Sequence, residues 1–194
     1  MAGKKQFDVE VALDAAMIQF WRAGYANTSV DDLSRVTGLN RSSLYSSFGD
    51  KDTLFLQCLD RYVTRYGERY DAALSRTNDG VEAALRAFFE VTLQRIADPE
   101  VPDGCLIVQS VLSTPVLSPG VAEYTQRAAA LQPARVVAAL KARGLPDPDA
   151  GTLAAYVTAV NQSLAVMSRT GADSGQLRAV VDVAMTARTQ AAAG

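Results

Sequence analysis

The stretch over positions 28–51, T-S-V-D-D-L-S-R-V-T-G-L-N-R-S-S-L-Y-S-S-F-G-D-K, constrains this chain most, because its punctuation favours two short helices joined by a tight turn. Ser29 followed three positions later by Asp32 is a capping-box-like start: the hydroxyl can accept an orphan amide of the first turn, and the carboxylate favours the positive helix end. A helix therefore begins near Val30, with Val30, Leu33 and Val36 as its buried stripe. Gly38 is the residue type that tolerates the left-handed backbone of a sharp exit. The turn spans Thr37 to Leu39, and Asn40 is a good N-cap for a second helix. On that helix Leu44 and Phe48, four apart, point inward together with Leu39. Arg41, Ser42, Ser43, Tyr45, Ser46 and Ser47 remain for its exposed side and flanks. Gly49 ends it, Asp50 can cap the next helix, and Lys51 falls in that helix's first turn.

An exposed face of Arg, Ser and Tyr with no long acidic side chain suits a DNA major groove. Arginine can bond guanine edges, hydroxyls serve bases or phosphates, and small residues permit close approach. Spacing alone leaves a second reading open, since two helices at a sharp turn also occur as plain packing.

The run T-S-V-D-D-L-S-R-V-T-G-L-N-R-S-S-L-Y-S-S-F-G-D-K-D-T-L-F resembles the N-terminal domain of the TetR family of bacterial transcriptional regulators, whose pattern runs T-x-x-x-I-A-x-x-A-G-V-S-x-G-x-L-Y-x-H-F-x-x-K-x-x-L. Ala15, Ala16, Phe20 and Gly24-Tyr25 resemble that family's first helix and its exit. Ser34 and Thr37 depart from small alanines, Asn40 replaces the usual Ser cap, and Ser47 stands where His is common, which removes one phosphate-side donor. Carried over by position, the resemblance implies that Thr28, Tyr45 and Lys51 grip phosphates. Arg41, Ser42, Ser43 and Ser46 then face base edges, Tyr45 can do both, and Ser47 stays a contact candidate. It further implies a homodimer on a palindromic DNA operator, released by a small-molecule effector, with repression as the default.

Bulk charge pulls the other way. The net charge is −2, and within positions 28–51 Arg35, Arg41 and Lys51 are balanced by Asp31, Asp32 and Asp50. The relevant potential is that of one face, so the expectation is a modest number of phosphate contacts and a shallow salt dependence. At 194 residues with 48% hydrophobic content the chain can bury a large core. Positions 1–6 carry two lysines, but Asp8, Glu10 and Asp14 interrupt the apolar stretch that follows, so an amphipathic helix is expected rather than a secretory leader. The uncharged windows 104–122 and 150–168 contain Pro115 and Pro119 or Asn161 and Gln162, which argues against a membrane span. Cys58 and Cys105 form no disulfide framework, and a reducing cytoplasm is the natural compartment.

Beyond Lys51 the pattern predicts helices over 53–75, 81–97, 105–112, 119–143, 149–169 and 174–188. The breaks fall at 77–80, 98–104 and 144–148, and a kink is expected at Pro133. Nothing alternates with period two for long enough to demand a sheet, so the fold is expected to be all-α, with a helix-turn-helix domain at 1–52 and a helical effector-binding and dimerisation domain at 53–194. Positions 153–167 are apolar or small on nearly every face and need cover from two directions. Leu177, Val180, Val181, Ala184 and Met185 make one stripe on the last helix. A core helix pair and a four-helix interface with a symmetry mate both satisfy this pattern, and the family resemblance favours the interface.

Tyr62, Tyr66 and Tyr70 recur every four residues after the reading head; Phe88, Phe89, Leu93 and Ile96 follow on the next helix. Aromatic stripes at helical spacing are more often core than pocket walls, although pockets also form between helices of bundles; the resemblance implies a pocket, with Tyr62, Tyr66, Phe88, Phe89, Leu93, Val108 and Tyr124 as walls and Gln109 and Asn161 as polar anchors. Cys105, in Gly-Cys-Leu-Ile, is either a small packed residue or a redox-reactive thiol. The chain has no His and no clustered Cys or carboxylate motif, so no metal site or cofactor is expected. The same inventory, without a phosphate loop, nucleophile elbow or paired carboxylates, argues against an enzyme. The remaining rival is a DNA binder whose C-terminal half answers to a protein partner or to no signal.

Overall fold

The computed structural model describes residues 8–75 and 80–191. Among them the chain forms nine α-helices, one 3-10 turn at Thr114–Val116 and no strand. The helices are α1 (Val9–Ala23), α2 (Val30–Thr37), α3 (Arg41–Phe48), α4 (Lys51–Ser75), α5 (Gly80–Ala97), α6 (Leu106–Leu112), α7 (Pro119–Lys141), α8 (Asp147–Arg169) and α9 (Ser174–Ala191). The leader question at positions 1–6 and the break expected at 77–79 lie outside the described residues.

Local chemistry sets the first three helices. Asp8 caps α1 by accepting the Glu10 amide at 2.9 Å. Ser29 and Asp32 complete a reciprocal capping box at α2, with the Asp32 amide donating to Ser29 Oγ at 3.1 Å and the Ser29 amide to Asp32 Oδ2 at 3.0 Å. Asp32 also takes Arg35, and these bonds, Ser29's first, hold its carboxyl down at about 2. Gly38 ends α2 at φ +70°, a left-handed backbone that a side chain would strain. Leu33, Leu39, Leu44 and Phe48 close under the turn against Phe20 and Phe55.

α4 follows directly on the α2–α3 pair and runs 25 residues without interruption across positions 52–53. Its buried face, which includes Phe55, Leu59, Tyr62, Tyr66 and Tyr70, meets α1 at one end and α5 and α7 further along. Phe88 and Phe89 are fully buried, with Phe88 tilted against Tyr70 at a centroid distance of 4.9 Å. α7 continues through Pro133, whose missing amide leaves the Ala129 carbonyl without its usual helical donor. α8 and α9 pack on α5, and Arg86 and Arg178 reach Asp182 and Glu90 across the α5–α9 seam. No helix among the described residues is long and apolar enough to cross a membrane.

Candidate DNA interface and effector cavity

Asn40 caps α3 by accepting the Ser43 amide at 2.8 Å, and the helix rests on buried Leu44 and Phe48. Everything else on it is outward or at its edge: Arg41, Ser42, Tyr45, Ser46 and Ser47 are exposed and Ser43 is half-buried. Ser46 donates its hydroxyl proton to the Ser43 carbonyl at 3.1 Å, which leaves its oxygen as an acceptor. Arg41 is not free: its Nε and Nη2 bond Asp31 Oδ1 and Oδ2 of α2 at 2.8 and 2.7 Å. Asp31 of α2 thus lies beside α3. Sequence spacing gave no hint of this contact, because it joins residues ten apart on different helices.

Of the two flanking residues, Thr28 sits differently from the resemblance-based expectation and Lys51 is held in place by its neighbours. Thr28 is fully buried and its hydroxyl donates to the Gly24 carbonyl at 2.7 Å, so its side chain braces the α1–α2 turn instead of reaching outward for a phosphate. Lys51 is half-buried, with Nζ 4.1 Å from the Tyr25 ring centroid, and burial lowers its pKa. Tyr25 in turn donates to Asp52, and burial together with that carboxylate pushes its hydroxyl up to about 12. Lys51 therefore stands at the start of α4 on a fixed aromatic platform.

The second site is a cavity of about 190 Å³ between α4, α6, α7 and α8. Tyr62, Val63, Tyr66, Gly67 and Tyr70 form one wall; Cys105, Ile107, Val108, Val111 and Leu112 form another; Ala128, Ala129, Gln132, Arg135 and Gln162 close it. Of the residues expected here, Tyr62, Tyr66 and Val108 are present. Phe88, Phe89 and Leu93 are buried core on α5, because that helix turns its aromatic stripe toward α4, α8 and α9 and contributes nothing to the wall. Gln109 faces the other way and accepts from Arg169 at 2.7 Å. Tyr124 donates to Asp60 at 3.0 Å on an open groove beside α4. Asn161 is buried one position from the lining residue Gln162, with no partner for its Oδ1.

The polar groups of the cavity are Gln132, Arg135 and Gln162. Arg135 Nε bonds Asp71 at 2.9 Å, and its guanidinium lies on the α4 backbone at Gly67, where a Cβ would come within 2.5 Å of Nη2. Cys105 lines the wall half-buried, its sulfur accepting the Tyr62 hydroxyl at 3.2 Å. Burial pushes the Tyr62 hydroxyl well above its ordinary range. Behind it Arg95, nearly fully buried, donates to the Gly104 carbonyl and stacks 5.5 Å from the Trp21 ring. The i, i+4, i+7 spacing of Phe88, Thr92 and Arg95 was the available signal that this arginine lies inward. Arg169 links the cavity region to the reading head, bonding the Trp21 carbonyl at 3.2 Å and the Arg22 carbonyl at 3.4 Å as well as Gln109.

A capped outer helix above a two-helix support, mounted on a hollow helical body, defines the class of helix-turn-helix regulators. Comparison with known proteins fixes the family: residues 12–58 match the model described as bacterial regulatory proteins, tetR family. The chain is 32% identical over 178 residues to the HTH-type transcriptional repressor ComR of Escherichia coli K12, covering 89% of this chain and 85% of that protein. It is 30% identical over 195 residues to the uncharacterized HTH-type transcriptional regulator YezE of Bacillus subtilis 168, covering 96% and 98%. Among solved structures, a cysteine mutant of the TetR family regulator CifR in complex with 26-bp operator DNA superposes with a TM-score of 0.80 at 26% identity, covering 93% of this chain and 96% of that one. The chain belongs to the TetR family of bacterial regulatory proteins, and it is a transcriptional regulator, not an enzyme.

Proposed function

We propose that the protein is a homodimeric repressor that binds a palindromic operator through α3 and lets go when a small molecule fills the α4–α6–α7–α8 cavity. The observation that carries the DNA reading is the outer face of α3: Arg41, Ser42, Tyr45, Ser46 and Ser47 stand exposed on a helix whose other side is locked by Leu44 and Phe48. Ser43 and Lys51 flank that face. The apolar skins of α8 and α9 support the dimer: Ala155, Tyr156, Ala159 and Val166 on α8 and Ala179 and Val183 on α9 are exposed in the monomer, a surface a second copy would cover. A recognition helix reads few base pairs, so two copies about 34–36 Å apart supply the specificity.

The effector reading rests on the hollow between the tyrosine wall of α4 and the wall of α6. An apolar or aromatic body fits those walls, and Gln132, Arg135 and Gln162 supply its polar contacts. Cys105 on the same wall supports a narrower reading in which an electrophilic effector is caught by the thiol.

The test is retention of the DNA upstream of the protein's own gene at low ionic strength. Wild type retains it, and Arg41→Ala with Tyr45→Ala abolishes retention. Equal retention by both overturns the DNA reading. A thermal-shift screen in which no compound both stabilises the protein and releases the operator overturns the effector reading. A Cys105→Ser protein that still releases DNA on exposure to a quinone overturns the thiol reading alone.

A further inference from the structure

We propose that Asp31 is a positioning residue for base reading: it holds Arg41 so that the end-on edge of the guanidinium is presented to one guanine in each operator half-site. The inference rests on the placement of α3 in the major groove proposed above and adds what that helix reads at its first residue.

A guanidinium is planar and offers five N–H groups along two usable edges, a side edge of Nε with Nη2 and an end edge of Nη1 with Nη2. Asp31 occupies the side edge through both of its oxygens, at 2.8 and 2.7 Å. That leaves both N–H groups of Nη1 and one of Nη2, and one from each nitrogen forms the donor pair that matches the O6 and N7 acceptors of guanine. Adenine places a donor where guanine has O6, so the same edge rejects it. Arg41 opens α3, and the first residues of a recognition helix are those that reach base edges.

The carboxylate itself is well placed. Asp31 lies in the first turn of α2, where the helix end favours negative charge, and the Ser29–Asp32 capping box beside it fixes that turn. Asp32 is taken by Ser29 and Arg35, so Asp31 is the one carboxylate of that turn bonded to α3. Both partners are mostly exposed, 64% for Arg41 and 70% for Asp31, and exposed ion pairs contribute little to folding. The pair instead removes rotamer freedom that Arg41 would otherwise lose on binding DNA. It also explains how a segment of balanced charge can read DNA: the arginine serves recognition more than phosphate attraction.

The experiment measures the affinity of the full-length protein for its operator and for variants in which each guanine of a half-site is changed to adenine. Wild type, D31N, R41K and R41A are compared. Wild type discriminates at one guanine by about 5- to 150-fold, the range of a good bidentate contact. R41K loses most of that discrimination at the same position and keeps it elsewhere, D31N weakens it at that position by up to about 5-fold, the scale of an exposed ion pair, and D31N added to R41A changes it no further. If D31N instead retains the full guanine preference, or raises affinity equally for every sequence, Asp31 merely neighbours or repels DNA and the proposal falls. If wild type shows no sequence preference at all, the placement of α3 falls as well.

Discussion

Ser168→Ala tests the joint that sets the cavity wall. Ser168 on α8 accepts the Gly104 amide at 3.0 Å and donates to the Ala165 carbonyl at 3.0 Å, and both ends of the first bond are buried. Gly104 sits at φ +89° with Arg169 packed where a Cβ would be, so this turn has no easy alternative course. Removing Oγ leaves the Gly104 amide buried without an acceptor, which costs about 1–3 kcal/mol. The Ala165 carbonyl keeps its helical partner, so the second bond adds little. For a chain of this size that corresponds to a Tm lowered by about 2–12 °C. The assay is thermal and urea unfolding at one fixed protein concentration, because the proposed dimerisation would make stability concentration-dependent. Thr170→Ala is the control: its hydroxyl is exposed and donates to the Met167 carbonyl at 2.9 Å, so its loss stays within about 0.5 kcal/mol. Equal effects of the two substitutions refute the reasoning.

Three further outcomes are expected. The Asp32 carboxyl, held at about 2 by Ser29 first and Arg35 second, contributes stability that is complete above its ordinary value of 3.8 and lost as pH falls toward about 2. Asp32→Asn removes that pH dependence, and circular dichroism across the acid range shows a flatter decline than wild type. Lys51→Gln reduces the slope of log affinity against log salt by about 0.9 per subunit in fluorescence anisotropy with operator DNA; an unchanged slope means Lys51 touches no phosphate. Tyr156→Arg combined with Val166→Arg places charge on the exposed skin of α8, and sedimentation velocity shows a monomer whose operator binding is lost; a dimer that persists places the interface elsewhere.

The reading head was readable from sequence because its determinants are short-range. Ser29, Asp32, Gly38 and Asn40 each act within three or four residues, and the structure has α2 and α3 where those caps put them. The all-α fold followed from periodicity in the same way. What failed depends on rotation about a helix axis. Phe88, Phe89 and Leu93 have the composition of a pocket wall, yet α5 turns them into the core. Gln109 lies among lining residues of α6 but points at Arg169, while Gln132 and Gln162 face the cavity. A hydroxyl such as that of Thr28 carries no sequence mark of whether it bonds DNA or the carbonyl four residues back. The Asp31–Arg41 bond needs two helices fixed relative to each other, which no local pattern encodes.

α4 has one more consequence. Tyr62 and Tyr66 face the cavity and also meet the Trp21 ring edge-on at 5.0 and 6.0 Å, and Trp21 belongs to α1, the support of the DNA-facing helices. In the effector-released repressor proposed above, any drift in these tyrosines toward a new inducer would disturb the tryptophan as well. Lineages diversifying their chemical taste on this flank would then have to retune operator grip at the same time.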